Sequence, residues 1–145
     1  MADTIAAIST AQAPGGIGLI RVSGPQAHAI ADRVFTAKNG NPLSAAKGYT
    51  AHYGRVHEAS FSPESGVSVE NPEDIDEAIA IVYRGPASFT GEDVAELSCH
   101  GGLYLLRRTL RALCEAGARP AQPGEFTRRA FLNGKLGLTE AESVM

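Results

Sequence analysis

The pattern of apolar and polar residues predicts strands in both halves of the chain. Short apolar runs predict strands over residues 4–8 and 17–22. Side chains that alternate with a period of two predict two more strands, over residues 75–83 and 94–99. A weaker alternation over residues 49–56 predicts an edge strand.

A helical period is present in three other segments. The spacing of apolar residues predicts helices over residues 26–35, 103–116 and 125–132. In the second helix the predicted buried stripe consists of Leu103, Leu106, Leu110 and Leu113. The polar segments at residues 36–49 and 58–73 predict loops, and the second is the least ordered part of the predicted fold. Together these elements predict an α+β domain in which helices cover a mostly antiparallel sheet.

Composition and charge limit the class of protein. The 145 residues suffice for one domain, and the net charge of -3 is unlike that of domains that bind nucleic acid tightly by themselves. Cys99 and Cys114 have neither a disulfide pattern nor metal-ligand spacing, so we expect no metal site and a reducing compartment. A basic signal-peptide region and an apolar run of about 20 residues are both missing from the sequence. We therefore expect a cytoplasmic protein that does not insert into membranes.

The final residues predict the start of another helix. Thr139 to Glu142 have the pattern of a capping box, and Met145 follows about one turn later. We expect residues 1–136 to form one domain and residues 137–145 to begin a new helix of a longer protein. Gly134 and Lys135 are not part of a P-loop, because Leu136 stands where Ser or Thr is needed. This chain is therefore not expected to bind or hydrolyse GTP.

Several segments in a fixed order carry a family resemblance. They are residues 3–7 with 14–24, SFTGEDVAEL at 88–97, CHGG at 99–102 and RPAQPGEFTRRAFLNGKL at 119–136. In this order and spacing they resemble the N-terminal domain of the MnmE (TrmE) family of tRNA uridine-modification GTPases. The resemblance extends over nearly the whole chain and is weakest over residues 36–73.

The resemblance implies a fold similar to that of folate-binding aminomethyltransferases and a homodimer formed by this domain. It also implies that residues 137–145 begin a helical domain into which a GTPase domain is inserted. It implies a bound tetrahydrofolate derivative, 5-formyl- or 5,10-methylene-tetrahydrofolate, as the source of a one-carbon unit. The folate-contacting positions of the family fall on Arg21, Glu96 and Lys135, and no residue of this chain is expected to be catalytic. The full-length family protein is expected to use GTP, Mg²⁺ and K⁺. With a flavin-dependent partner protein of the MnmG (GidA) type, it is expected to modify the wobble uridine of tRNA.

The three residue types suit a folate, and each also has a purely structural role open to it. A carboxylate such as Glu96 could accept two hydrogen bonds from the edge of a pterin, and Arg21 suits the carboxylates of the glutamate tail. Glu96 could instead pair with a nearby arginine, and Arg21 could extend from a strand end to water. Lys135 could be a cation at the C-terminal end of a helix.

Two further features have a structural as well as a functional interpretation. Cys99 and His100 do not form a nucleophilic pair, because adjacent strand residues point to opposite faces; Cys99 is expected in the core. Backbone N–H groups at Gly101 and Gly102 could hold an anion, or these glycines could allow close strand-to-helix packing. A set of arginines could contact RNA in the complete protein or occupy solvated helix faces. They are Arg107, Arg108, Arg111, Arg128 and Arg129.

Two alternative functions remain. The chain could be a standalone folate-dependent one-carbon transferase, which a transfer assay on the isolated chain would reveal. It could also be a purely structural dimerisation domain with a degenerate ligand site, in which case the dimer would be indifferent to folate. The family resemblance favours folate binding without turnover by this chain alone.

Overall fold

A seven-stranded sheet forms the centre of the molecule. The computed structural model describes residues 3–9 and 16–136, so the helix start expected at residues 139–142 lies outside the described residues. The strands are β1 (Ile5–Ile8), β2 (Gly18–Ser23), β3 (Phe35–Ala37), β4 (Thr50–His57), β5 (Phe61–Ser62), β6 (Val67–Ser68), β7 (Asp74–Tyr83), β8 (Val94–Cys99) and β9 (Arg119–Pro120). The sheet has the order β3-β4-β7-β8-β2-β1-β9, and β5 pairs with β6 in a separate ribbon. All pairs in the large sheet are antiparallel except β1 with β9.

Helices α1 (Ala27–Asp32) and α2 (Leu103–Glu115) cover one face of this sheet. Ile20, Leu97 and Ala80 are opposite one another on neighbouring strands, and all three are fully buried on this face. Leu106 and Leu113 of α2 belong to the same apolar cluster. None of the described helices, of which α2 with 13 residues is the longest, has the length and hydropathy needed to cross a bilayer.

Among the described elements, helix α3 (Glu125–Leu132) and the loop that joins β7 to β8 cover one end of the other face of the sheet. Further along this face, Tyr53 of β4 lies opposite Ile79 of β7, and the two side chains are 51% and 45% exposed. Ile81 of β7 lies opposite Glu96 of β8 on the same face. We call the surface around Tyr53, Ile79 and Ile81 the open sheet face.

The α+β class and the mostly antiparallel sheet are confirmed, but four sequence predictions need correction. The helix predicted over residues 26–35 ends at Asp32, and Phe35 begins β3. The strand predicted at the sheet edge is β4, which instead lies between β3 and β7. The loop predicted over residues 36–49 contains the end of β3 and a short 3-10 helix at Leu43–Ala45. The loop predicted over residues 58–73 contains the β5–β6 ribbon.

Candidate functional site

An ion pair on the two central strands joins two of the three predicted site residues. Arg21 of β2 and Glu96 of β8 are direct partners in the strand register, so both side chains leave the same face. Arg21 Nε lies 2.8 Å from Glu96 Oε2, with side chains that are 20% and 12% exposed. Glu96 therefore pairs with an arginine, as its structural interpretation allowed, and this arginine is Arg21, itself a predicted site residue.

Aromatic side chains surround this pair. The Arg21 guanidinium carbon lies 5.0 Å from the centre of the Phe89 ring and 5.7 Å from the centre of the Phe126 ring. The Tyr83 hydroxyl donates a hydrogen bond of 3.3 Å to Glu96 Oε1. Burial, followed by the adjacent Glu96 carboxylate, raises the pKa of Tyr83, so this hydroxyl stays protonated and able to donate.

A cleft of about 540 Å³ opens beside the Arg21–Glu96 pair. Its walls come from β1, β2, the β7–β8 loop, the loop before α3 and α3 itself, and they mix apolar with polar groups. The lining residues include Ile8, Arg21, Phe89, Gln122, Pro123 and Phe126. A cleft of this size with aromatic walls and a few convergent polar groups is typical of a site for a small organic ligand.

Lys135, the third predicted site residue, does not contact the Arg21–Glu96 pair within the described residues. Its Nζ donates a hydrogen bond of 3.0 Å to the carbonyl oxygen of Pro86, in the loop that carries Phe89. Asn133 Nδ2 bonds the carbonyl oxygen of Thr90 in the same loop at 2.8 Å. The C-terminal end of α3 therefore holds the loop that forms one wall of the cleft.

A buried ion network fixes α3 at the other wall. Arg129, which is 1% exposed, pairs with Asp3, Glu92 and Glu125 at distances of 2.7, 3.1 and 3.4 Å. A hydrogen bond from Arg119 is the largest factor that lowers the pKa of Glu125 to about 2. The network therefore anchors α3, the helix that carries Phe126.

The sequence interpretation missed this role of Arg129. It placed Arg129 on a solvated helix face or against RNA, and the buried network rules out both positions for this side chain in the structure. The spacing of Glu125 and Arg129, four residues apart on one helix, was the available signal. The partners Asp3 and Glu92 are distant in sequence, so no local pattern indicates them.

Phe89 and Phe126 were missed as well, because isolated aromatic residues in loops and helices are common in cores. Both lie inside the sequence segments that carry the family resemblance, and that position was the only available signal.

The remaining arginines have different surroundings. Arg108 of α2 pairs with Glu58 at 2.8 Å and with Glu73 at 3.1 Å. Arg107 and Arg111 line a separate cleft together with Tyr104. Arg128 is half exposed and approaches Glu125 only at 3.9 Å.

The Asp76 carboxylate binds the backbone of the segment that joins β8 to α2. Backbone N–H groups of His100 and Gly101 donate to Asp76 Oδ2 at 3.1 and 2.8 Å, so the anion at this helix start is a side chain of β7. Cys99 is buried as expected, and burial is the main factor that raises its pKa to about 12. A thiol with such a pKa is not a nucleophile at neutral pH. The described residues contain no cluster of three or more His, Cys, Asp or Glu placed to hold a metal ion.

Comparison with known proteins gives a consistent result. Residues 4–135 match the family described as GTP-binding protein TrmE N-terminus. The chain is similar to the tRNA modification GTPase MnmE of Symbiobacterium thermophilum, with 50% identity over 143 residues, 99% of this chain and 29% of the relative. It is 49% identical to the protein of that name from Parabacteroides distasonis, over 98% of this chain and 29% of the relative. For that of Geobacter metallireducens the identity is 48%, over 99% of this chain and 29% of the relative. The chain thus spans less than a third of the length of these relatives.

Proposed function

The chain belongs to the family of TrmE N-terminal domains, as its sequence motifs predict, and on that basis we propose that it is a folate-binding, homodimer-forming domain. The longer protein that contains it would be a cytoplasmic GTPase that modifies the wobble uridine of tRNA with a flavin-dependent partner. In that protein GTP, Mg²⁺ and K⁺ would serve the GTPase domain. The bound tetrahydrofolate derivative would supply a one-carbon unit.

The observation that best supports folate binding is the cleft beside a largely buried carboxylate. A pterin is a flat ring with two adjacent N–H donors at one edge, and the Glu96 carboxylate, which pairs with the cleft-lining Arg21, could accept from them. The rings of Phe89 and Phe126 provide apolar surface for a planar ligand. Lys135, across the Phe89 loop, would meet another polar part of the ligand after leaving the carbonyl oxygen of Pro86.

The open sheet face supports the proposed homodimer. Tyr53 and Ile79 are large apolar side chains that lie side by side and half exposed on a regular strand surface. An exposed apolar patch on a soluble domain commonly marks an interface. In a two-fold dimer the same patch is buried on both copies.

Calorimetric titration of 5-formyltetrahydrofolate into this chain tests folate binding. We expect the parent to bind and Glu96→Gln to bind at least about ten-fold more weakly, because charge-assisted hydrogen bonds are worth roughly 1.5–3 kcal/mol each. Glu58→Gln is the matched control, since Glu58 also pairs with an arginine at 2.8 Å but lies beside α2. Equal loss of binding in both variants, or no binding by a folded parent, would contradict the proposal.

A further inference from the structure

The Arg21 guanidinium lies between aromatic rings and a carboxylate, which are the groups that would bind the edge of a pterin. It is a planar group of N–H donors that packs against Phe89 and Phe126 and donates to the Glu96 carboxylate. The amino-pyrimidinone edge of a pterin is also planar and carries adjacent N–H donors. Arg21 lines the cleft whereas Glu96 is not among the lining residues, so the arginine lies between the cleft and the carboxylate.

The contact between Arg21 and Glu96 is of a kind that a ligand could replace. Only Nε of Arg21 donates to Glu96, and its two terminal nitrogens have no protein acceptor among the described residues. Glu96 Oε1 receives one long hydrogen bond, of 3.3 Å, from Tyr83. A donor group that reaches both carboxylate oxygens forms a stronger, bidentate contact than this single one.

We propose that Arg21 determines the specificity of this site, because it occupies the place of the pterin edge at Glu96 until an anionic ligand tail attracts it away. The inference rests on the folate binding proposed above. The site would then select pterins that carry a carboxylate-bearing tail over pterins that lack one. A tail-bearing ligand gives the displaced guanidinium a new carboxylate partner, whereas a tail-free pterin leaves it without one.

Removal of Arg21 therefore has opposite effects on the two kinds of ligand. A ligand with a glutamate tail loses its cationic partner and binds more weakly. A tail-free pterin no longer competes with the guanidinium for Glu96 and binds more tightly. A residue that only contacts the ligand would not produce this reversal.

The experiment is calorimetric titration of 5-formyltetrahydrofolate and of a tetrahydropterin without the aminobenzoyl-glutamate tail. Each ligand is titrated into the parent, Arg21→Met and the control Arg55→Met. Arg55 suits as the control because it forms a single 2.8 Å contact with Asp74 at an exposed position of β4. We expect Arg21→Met to raise the Kd of the folate at least about ten-fold. The Kd of the tail-free pterin should fall about three- to five-fold, as for the release of one partly exposed ion pair.

Each outcome decides between clear alternatives. Equal weakening of both ligands by Arg21→Met makes Arg21 an ordinary ligand contact and overturns the inference, as does no change for either ligand. A parent that binds no folate overturns the proposed function itself. If circular dichroism shows that Arg21→Met is unfolded, Arg21→Gln retains a polar side chain at the same position, and the same reversal of the two affinities is required of it.

Discussion

At the scale of single residues, the largest gap between sequence and structure is Arg129. Arginine is almost never fully buried without partners, so an exposed position was the reasonable prediction. Its partners Asp3 and Glu92 are distant in sequence, in the segment before β1 and in the β7–β8 loop, and only the fold brings them to Arg129. The residue types at Arg21 and Glu96 were readable, but their direct contact depended on the pairing of β2 with β8.

Because the buried network lowers the pKa of Glu125, it makes the free energy of unfolding depend on pH, and Glu125→Gln tests this dependence. A folded-state pKa of about 2 means that ionised Glu125 stabilises the fold above its ordinary pKa of 4.5 and loses this effect as pH falls toward 2. We expect Glu125→Gln to lower the free energy of unfolding by roughly 3 kcal/mol at pH 7. The difference from the parent should shrink progressively as pH is lowered from 4.5 to 2.

Urea unfolding of parent and variant across this pH range measures the effect. Glu77→Gln is the control, because Glu77 is an exposed carboxylate that accepts a hydrogen bond from the Tyr53 hydroxyl. Its substitution should change stability by less than about 0.5 kcal/mol. A Glu125→Gln deficit of the same size at every pH would show that the charge of Glu125 is not its source.

At the scale of elements, local periodicity located most strands and helices but not their ends or neighbours. The α1 helix ends at Asp32, whose carboxylate accepts hydrogen bonds from the backbone of Leu43 and Ser44, and Phe35 then pairs with Val56. This pairing places β3 beside β4, at the edge of the sheet. Leu103, predicted in the buried stripe of α2, is the first residue of this helix and is 46% exposed. Such outcomes depend on distant pairing and were not readable from spacing.

The start of α2 depends on Asp76, a residue of β7. We expect Asp76→Ala to lower the free energy of unfolding by about 2 kcal/mol, because the N–H groups of His100 and Gly101 would lose a shared carboxylate acceptor. Amide hydrogen exchange at these two residues should accelerate together with the loss of stability. Asp74→Ala on the same strand is the control, since the side chain of Asp74 is exposed. Equal free energies of unfolding for Asp76→Ala and Asp74→Ala would show that the Asp76 carboxylate does not stabilise the start of α2.

At the scale of the whole molecule, the two faces of the sheet differ in what packs against them. One face is filled by α1 and α2 and provides the core. The other face carries the Arg21–Glu96 pair, the cleft and the open sheet face side by side on neighbouring strands. A second copy docked on the open sheet face would therefore lie beside the proposed folate site, so dimer formation and ligand binding would influence each other.

Sedimentation velocity tests this arrangement directly with Ile79→Lys. In a two-fold dimer the substitution introduces a charge twice into the interface, so we expect the dissociation constant of the dimer to rise at least about 100-fold. The melting temperature of the monomeric fold should remain nearly unchanged, because Ile79 is 45% exposed within one copy. Val67→Lys is the control, since Val67 is 55% exposed but lies on the separate β5–β6 ribbon. A parent that stays monomeric at high concentration, or a dimer indifferent to Ile79→Lys but lost in Val67→Lys, would assign the open sheet face another role.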